Sequence, residues 1–493
     1  MRNIIGFFIL VFSIQIQAQT LADALRYSSL EVGGTARTVG VGWALGALGA
    51  DYAVLSSNPA GLATFRTNEF VITPVVFNAR TNSLLVTGGD NSYNSESIAR
   101  FGLNNIGMIL NNRPRRSKWK TFNFGIGYNR LATFNQEFTF RGTSQGSIVD
   151  RFTELANDGI FDLFEVDLAD QVVAIYTDAS NPDFFINDFD DADPNYVVER
   201  EQTVRTTGSY SELVLSLASN YNEKLMIGAT MGIPLINYEQ EKTYEESELP
   251  NADAVPFFNN LKFQETVSTS GVGINLKLGL IYRINQMFRL GAAFHTPTAF
   301  RLEDSFANQL TYNFTDANGG SNLTADSPVG DFNYRLRNPW RAMLNFATLF
   351  HRKGFISADI EYVDYTAANF NLTSNSSNIE DEIFEMDLNN QIDDELQSAI
   401  NIRIGGEYAM NKLRFRAGYA ISGTPYADSD IINNAYSLGF GFRQKKFYLD
   451  LAYRLARVDE NYVPFLLANP EQEQMVANET SNSQFIMTAG FKF

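Results

Sequence analysis

The chain has 493 residues and a formal net charge of -18, with no cysteine and two histidines. So large an excess of acidic groups excludes nucleic acid as a partner, because phosphate contacts need clustered Lys and Arg. The lack of cysteine excludes disulfides and thiolate metal sites, and two histidines cannot build a multi-histidine centre. We therefore expect neither a metal nor a cofactor.

The first eighteen residues have the pattern of a signal peptide. Arg2 supplies a positive charge, residues 4–14 are almost wholly apolar, and Ile16-Gln17-Ala18 can end the peptide. The alternative interpretation is a buried N-terminal helix. No later apolar run reaches the ~18 residues that a membrane helix needs. The pattern predicts export of a mature chain that begins at Gln19 and crosses no membrane as helices.

Residues 19–68 fit no strand pattern and are rich in small side chains. A segment between the signal peptide and the first strand of a barrel must lie beneath the barrel or inside it. Small residues allow close packing against the inner wall, so we predict that residues 19–68 form a plug. The small residues are Gly33, Gly34, Ala36, Gly40, Gly42, Ala44, Gly46, Ala47, Gly49 and Ala50.

The remainder, residues 69–493, alternates apolar and polar side chains and contains most of the 40 Phe and 22 Tyr residues. Residues 447–455 show the pattern best, since every odd position is apolar while Asp450 and Arg454 occupy even positions. Membrane strands alternate in this way because one face meets lipid and the other meets the lumen. The predicted fold is all-β, a transmembrane antiparallel barrel with long external loops.

Fourteen strands can be placed, with short turns and long polar loops in strict alternation. An even number of strands puts both termini in the periplasm. Two loop segments, 148–175 and 379–396, have helical spacing of apolar residues, so we expect small external helices there. The predicted strands are 69–80, 102–112, 120–141, 204–221, 224–243, 261–284, 287–303, 331–351, 354–370, 399–411, 412–423, 434–444, 446–459 and 483–493.

The last strand places five apolar side chains on one face: Phe485, Met487, Ala489, Phe491 and Phe493. A terminal Phe on such a strand resembles the recognition signal of bacterial outer-membrane barrels. A soluble β-sandwich is the alternative, although it would rarely end on a free aromatic carboxyl terminus with this alternation.

Several charged side chains should face the lumen. They could hold the carboxylate of a ligand through paired hydrogen bonds. Alternatively, they pair with Asp359, Glu361, Glu407 and Asp450 to satisfy a polar barrel interior, and we prefer this hypothesis for any single arginine. The arginines are Arg341, Arg403, Arg414, Arg416, Arg443 and Arg454.

Three further motifs have ordinary explanations. Asp188, Asp190, Asp191 and Asp193 could bind calcium, but their spacing favours a solvated acidic loop. Gly40-Val41-Gly42 lacks the preceding strand of a dinucleotide-binding motif. Pro234 and Pro297 fall within predicted strands, where proline belongs at an edge, a bulge or a kink.

The N-terminal region resembles the FadL/TodX family of outer-membrane transporters for long-chain fatty acids and aromatic hydrocarbons. The resemblance is carried by residues 36–40, by residues 50–54 and, most specifically, by the run Asn58, Pro59, Ala60, Gly61 and Leu62 just before the first strand. It continues through 292–297, 355–362, 404–408 and 415–419 and leaves out the external loops. It implies a fourteen-stranded barrel with an N-terminal hatch. An ordinary Asn-Pro turn is the alternative at residues 58–59.

The resemblance implies a monomer in outer-membrane lipid of a Gram-negative bacterium that passes small hydrophobic molecules, either fatty acids or aromatic hydrocarbons. A secretion component or cargo-docking scaffold of the PorV type is the alternative, and an enzyme is not expected because no Ser-His pairing is recognisable. Since the alternation leaves mostly small or polar residues in the lumen, we expect the ligand pocket between plug and second loop. Its candidate residues are Trp43, Leu45, Val54 and Leu55 in the plug, and Phe161, Leu163, Phe164, Phe184 and Phe185 in the loop.

Overall fold

The computed structural model describes residues 20–493 apart from 31–32, 90, 194–195, 250–253, 317–318, 352, 373–378 and 430. The predicted signal peptide, residues 1–18, lies outside the described residues. No helix in this described part of the chain is long and apolar enough to cross a membrane.

Fourteen antiparallel strands close into a barrel, which confirms the predicted number, when a strand that is interrupted once is counted as one. The strands are β1 (Glu69–Leu85), β2 (Asn94–Asn112), β3 (Trp119–Thr133), β4 (Gln136–Ser144), β5 (Ile175–Asp178), β6 (Asn181–Asn187), β7 (Val198–Tyr221), β8 (Leu225–Glu248), β9 (Phe258–Arg283), β10 (Phe288–His295), β11 (Ala299–Asp316), β12 (Gly319–Asp326), β13 (Gly330–Arg337), β14 (Arg341–Leu349), β15 (Gly354–Asp364), β16 (Asn369–Asn371), β17 (Ser398–Met410), β18 (Leu413–Ser422), β19 (Asn433–Arg443), β20 (Phe447–Tyr462) and β21 (Val476–Lys492). β21 pairs with β1 and closes the barrel. β5 and β6 form a separate hairpin, and β12 pairs with β11.

Four of the fourteen barrel strands are interrupted once. The interruptions lie between β3 and β4, β10 and β11, β13 and β14, and β15 and β16. Proline explains two of these breaks, because Pro297 and Pro339 have no N–H to donate to a ladder. Pro234 lies inside β8, where the ladder to β9 lacks Ile233 and Pro234. The prolines therefore occupy kinks and a ladder gap, as the sequence predicted.

The outward face of the barrel is apolar over only part of its height. On β9 the exposed even-numbered side chains from Val272 to Tyr282 are all apolar, which marks the lipid-facing band. Farther out, the same face carries polar Thr266, Ser268 and Ser270, while Phe263 is buried on the inner face. The apolar face of a strand thus changes sides along its length, outward in lipid and inward above it.

The C-terminal strands have the predicted orientation. Tyr448, Asp450, Ala452 and Arg454 of β20 are buried in the interior, and Leu449 and Tyr453 are exposed on the lipid side. On β21, Phe485, Met487 and Phe491 are exposed on the shared outer face. A soluble sandwich would bury these aromatic side chains, so their exposure fits a barrel in lipid.

Helices are short and lie at the ends or inside the barrel: α1 (Leu21–Ser28), α2 (Ala36–Gly40), α3 (Ile148–Asn157), α4 (Val166–Gln171) and α5 (Ile379–Glu395). α3 and α4 lie in the first predicted helical loop and α5 in the second, so both predictions are confirmed. Phe152 of α3 and Leu168 of α4 share a core with Phe263 and Tyr312 of the strands. This core covers the outer mouth of the barrel, and we call α3, α4, β5 and β6 the external cap.

Residues 20–30 and 33–66, here called the plug, pack within the barrel. Besides α1 and α2 they form two 3-10 turns, Tyr52–Leu55 and Pro59–Thr64. Most side chains between residues 34 and 63 are buried. Asp51 caps the first of these turns and ties it to α2, because its carboxylate accepts hydrogen bonds from Thr35 and Thr38.

Candidate functional site

The run from Asn58 to Leu62 joins the plug to the lower barrel wall, the half of the barrel in which β1 begins and β21 ends. The Asn58 Oδ1 atom accepts a hydrogen bond from the backbone N–H of Ala60 at 3.2 Å and so caps the 3-10 turn that Pro59 begins. Its Nδ2 donates to the backbone carbonyl of Leu280 in β9 at 3.3 Å and to the carbonyl of Gly46 at 2.9 Å. One fully buried amide therefore ties together the turn, the plug and the wall.

Glycines of the wall make room for the backbone of the plug. A Cβ at Gly405 would collide with the carbonyl oxygen of Val41, and one at Gly418 would collide with the backbone of Gly42. Gly42 itself has φ +61°, a conformation that favours glycine. Small residues therefore occur on both sides of the contact, whereas the sequence indicated them only in the plug.

The apolar plug residues face the lower wall. Trp43 packs with Val75 and Phe77 of β1, and the guanidinium carbon of Arg454 lies 4.8 Å from its ring centroid. Leu45 packs with wall residues around Ala347, while Val54 and Leu55 share a core with Val214 of β7 and neighbouring strands. These side chains fix the plug in the bore.

The second-loop residues lie in other surroundings. Phe161, Leu163 and Phe184 are exposed, and Phe185 packs against the ring of Phe161 at 5.5 Å. Phe164 of this set lines the cavity described in the next paragraph, and its ring lies 4.7 Å from that of Phe306 in β11. The four plug candidates do not line this cavity, because they pack against the lower wall. The plug contributes Asp23 and Arg26 of α1 to the cavity instead.

A cavity of about 840 Å³ lies inside the upper barrel, the half toward the long loops, between α1 and the external cap. The upper wall supplies most of its aromatic lining, in contrast to the expectation of a small and polar lumen. The reason is that, above the lipid band, the apolar side chains of the strands point inward. Its phenylalanines are Phe77, Phe134, Phe138, Phe164, Phe263, Phe306 and Phe465.

The charged side chains of this cavity pair with one another. Lys242 lies 3.4 Å from Glu265, and Arg151 lies 2.7 Å from Glu165. Arg26 of α1 pairs with Asp23 of the same helix. Because each of these cations has an acidic partner, the lining offers no surplus positive charge to a ligand.

The predicted lumenal arginines sit lower and are largely neutralised by the wall. Arg341 and Arg403 both pair with Glu361, at 3.3 and 3.0 Å. The remaining pairs are Arg414 and Arg416 with Glu407, and Arg416 and Arg443 with Asp450. Arg454 lies over the ring of Trp43. This arrangement favours the hypothesis that these arginines satisfy a polar interior.

A seam interrupts the barrel wall next to the cavity. The β2–β3 ladder spans only residues 105–112 of β2, and β4 pairs with β7. Among the described residues no backbone ladder joins residues 94–104 of β2 to β4, and we call this stretch the lateral seam. The side chain of Arg130 in β3 lies across the seam. Its guanidinium would be 2.6 Å from a Cβ added at Gly102 of β2.

The seam results from the break at Phe134 and Asn135, which turns β4 inward. Gln136, just after the break, donates hydrogen bonds to Glu460 of β20 and Thr480 of β21, beyond β1 and β2. Thr133, Phe134 and Gln136 also line the cavity, as does Ile98 of β2. The cavity therefore extends to the seam. Sequence reasoning missed these residues because no Pro or Gly marks the break.

Part of the acidic cluster in the second loop has a structural role. Asp188 is buried, and its carboxylate accepts hydrogen bonds from Tyr312 at 2.8 Å and from Tyr176 at 3.2 Å. Burial raises the pKa of Asp188 above its usual value. In the described part of the chain no three acidic or His side chains are grouped to hold a metal ion.

The cap should loosen as the pH rises. Burial raises the pKa of the Asp150 carboxyl in α3 to about 6. Because this pKa is higher in the folded cap than the value of about 4 in the unfolded chain, the Asp150 carboxyl stabilises the folded cap fully below about pH 4. This stabilisation is lost as the pH rises through the folded pKa of about 6. Hydrogen exchange of α3, corrected for intrinsic rates, should therefore be faster at about pH 7.5 than at about pH 5. Asp150→Asn should remove the difference, and an unchanged pH dependence in that variant would assign it to other groups.

Comparison with known proteins agrees with this architecture. A family model described as outer membrane protein transport protein (OMPP1/FadL/TodX) matches residues 178–493. None of the curated proteins compared with the chain matches it. Similar solved structures include a Pseudomonas aeruginosa FadL homologue, with 13% identity, a TM-score of 0.54 and coverage of 94% of this chain and 99% of that chain. The P. putida toluene transporter TodX gives 14% identity and a TM-score of 0.52 at the same coverage.

Identities this low establish a likeness of fold. The family model adds more, because it matches well over half of the 493 residues. The chain belongs to the OMPP1/FadL/TodX family of outer membrane transport proteins.

Proposed function

We propose that this protein takes small hydrophobic molecules from outside the cell into the cavity of the upper barrel and releases them sideways through the lateral seam into the membrane. The observation that carries the proposal is the aromatic cavity, which reaches the break at Phe134 and Asn135, beside the stretch of β2 that has no ladder to β4. Apolar pockets with a few polar groups are the usual sites for such ligands.

The lining favours a neutral aromatic hydrocarbon over a fatty acid. Its acidic groups are Asp23, Glu165, Glu265 and Glu460, and its basic groups are Arg26, Arg151 and Lys242. Four carboxylates against three cations leave no positive group to hold a ligand carboxylate. The name of the similar toluene transporter supports the same choice.

Transfer in this scheme needs no chemical step. The cap admits the molecule, the phenylalanines hold it, and the plug blocks the path through the lower bore. Diffusion down a gradient then carries it across the seam. We further propose that the mature protein starts at Gln19 after signal-peptide cleavage and works as a monomer without enzymatic activity. The comparisons give no support to the secretion-scaffold alternative.

Binding of a fluorescent naphthalene compound to the purified protein tests the proposal. Phe164→Ser removes a ring that lines the cavity, and we expect about tenfold weaker binding from the loss of its apolar contact. Phe161→Ser is the matched control, because Phe161 belongs to the same loop but is 62% exposed. A parent protein that binds no naphthalene compound, or equal losses in both variants, would contradict the assignment.

A further inference from the structure

One surface of this acidic protein is strongly basic. The turn between β2 and β3 contains Arg113, Arg115, Arg116 and Lys118, with Lys120 at the start of β3, and all five side chains are exposed. In the part of the chain that the structure describes, none of the three arginines forms an ion pair. Because β1 begins and β21 ends at this end of the barrel, the turn lies on the periplasmic side.

An apolar groove runs along the lipid-facing wall beside this turn. It measures about 810 Å³ and crosses β2, β3, β7, β8 and β9. Its floor is low because two small outward residues, Ser219 and Ala229, stand between large neighbours. Ala229 pairs with Leu217 on one side and with Leu278 on the other.

The groove and the basic turn are continuous. Asn112 and Phe122, the last residue pair of the β2–β3 ladder, both line the groove, and the turn follows Asn112 directly. Trp119 lies at the junction, with its ring 5.8 Å from Phe122 and 5.1 Å from Tyr221. Trp and Tyr side chains concentrate where membrane hydrocarbon meets headgroups, so this cluster marks the inner interface.

We propose that the groove and the basic turn together bind an anionic phospholipid of the inner leaflet. An acyl chain fills the groove over Ser219 and Ala229, and the phosphate of the headgroup is held by Arg113 and Arg115. Exposed guanidinium groups bind phosphate oxygens through paired hydrogen bonds, and basic residues at a membrane surface attract anionic lipid. The site lies outside the barrel, so it is independent of the transport cavity.

Native mass spectrometry of the detergent-purified protein tests this site with phosphatidylglycerol and phosphatidylcholine of identical acyl chains. The parent should retain phosphatidylglycerol preferentially. Arg113→Gln combined with Arg115→Gln should reduce that preference roughly tenfold or more, since each basic group contributes about fivefold. The matched control, Lys445→Gln with Lys446→Gln, removes two exposed charges from the turn between β19 and β20 and should leave the preference intact.

The groove itself is tested by Ala229→Leu, which fills its floor. We expect retention of both lipids to fall, while Ala358→Leu on the lipid face of β15 should have no such effect. Equal retention of the two lipids by the parent, or equal results for the two leucine variants, would overturn the proposal. So would a dimer that Ala229→Leu dissociates, because a second copy would then occupy the groove.

Discussion

Deleting residues 33–62 should leave a barrel that still inserts into membranes but conducts ions far better than the intact protein. The ladder from β1 to β21 closes without any plug residue, so the wall remains complete. The removed residues include α2, the first 3-10 turn and most of the second, which fill the lower bore. Planar bilayer recordings would measure the change. If the shortened protein conducted no better than the parent, the plug would not be what blocks the bore.

A single substitution separates loss of the plug from general damage. Gly405→Val places a side chain where the backbone of Val41 now lies, so the plug must move away from β17 and conductance should rise. Gly406→Val is the control, because its Cβ would point outward and meet the Phe355 carbonyl at 3.2 Å, a contact that a small shift relieves. Equal conductance in the two variants would contradict a plug held by close backbone packing.

Closing the lateral seam should abolish most protein-dependent uptake of a hydrophobic compound. Gly102→Trp places an indole against Arg130, whose guanidinium already lies across the seam. Because Arg130 is a long flexible side chain, it can yield and the barrel can still form. Uptake of a labelled aromatic hydrocarbon into proteoliposomes should then fall toward the rate of protein-free vesicles.

The control for this experiment is Gly89→Trp, since no atom lies within 4 Å of a Cβ at Gly89 in the loop between β1 and β2. Ligand binding should survive in both variants, because neither residue lines the cavity. Normal uptake by Gly102→Trp would mean that molecules leave by another route, through the bore past the plug.

The barrel could be predicted from sequence because lipid enforces a strict alternation. In β20, for example, Leu449 and Tyr453 must face hydrocarbon, and a shift by one residue would expose Asp450 and Arg454 to it. The number and the order of the strands follow from counting such segments. The ends of the strands were less accurate, because above the lipid band this constraint no longer applies.

The cavity could not be predicted in the same way, since the apolar face was assumed to stay outward. Along β9 the apolar positions are even from Val272 onward but odd at Leu261 and Phe263. The change of parity near Ser270 was therefore visible in the sequence. The seam had no such signal, because Phe134-Asn135 is an ordinary pair of residues and only the partners of β3 and β4 reveal the break.

The bond between the plug and the last strand has a consequence for how the molecule folds. The backbone N–H of Ala36 donates to Thr488 of β21 at 2.7 Å, across 452 positions of the chain, and Thr488 also contacts Thr73 of β1. Until β21 arrives, the edge of β1 and one side of α2 have no partner. Contacts of such long sequence separation form slowly, and an open sheet edge invites aggregation. Sealing the barrel and securing the plug are therefore one late event, and the incomplete chain must be shielded until it occurs.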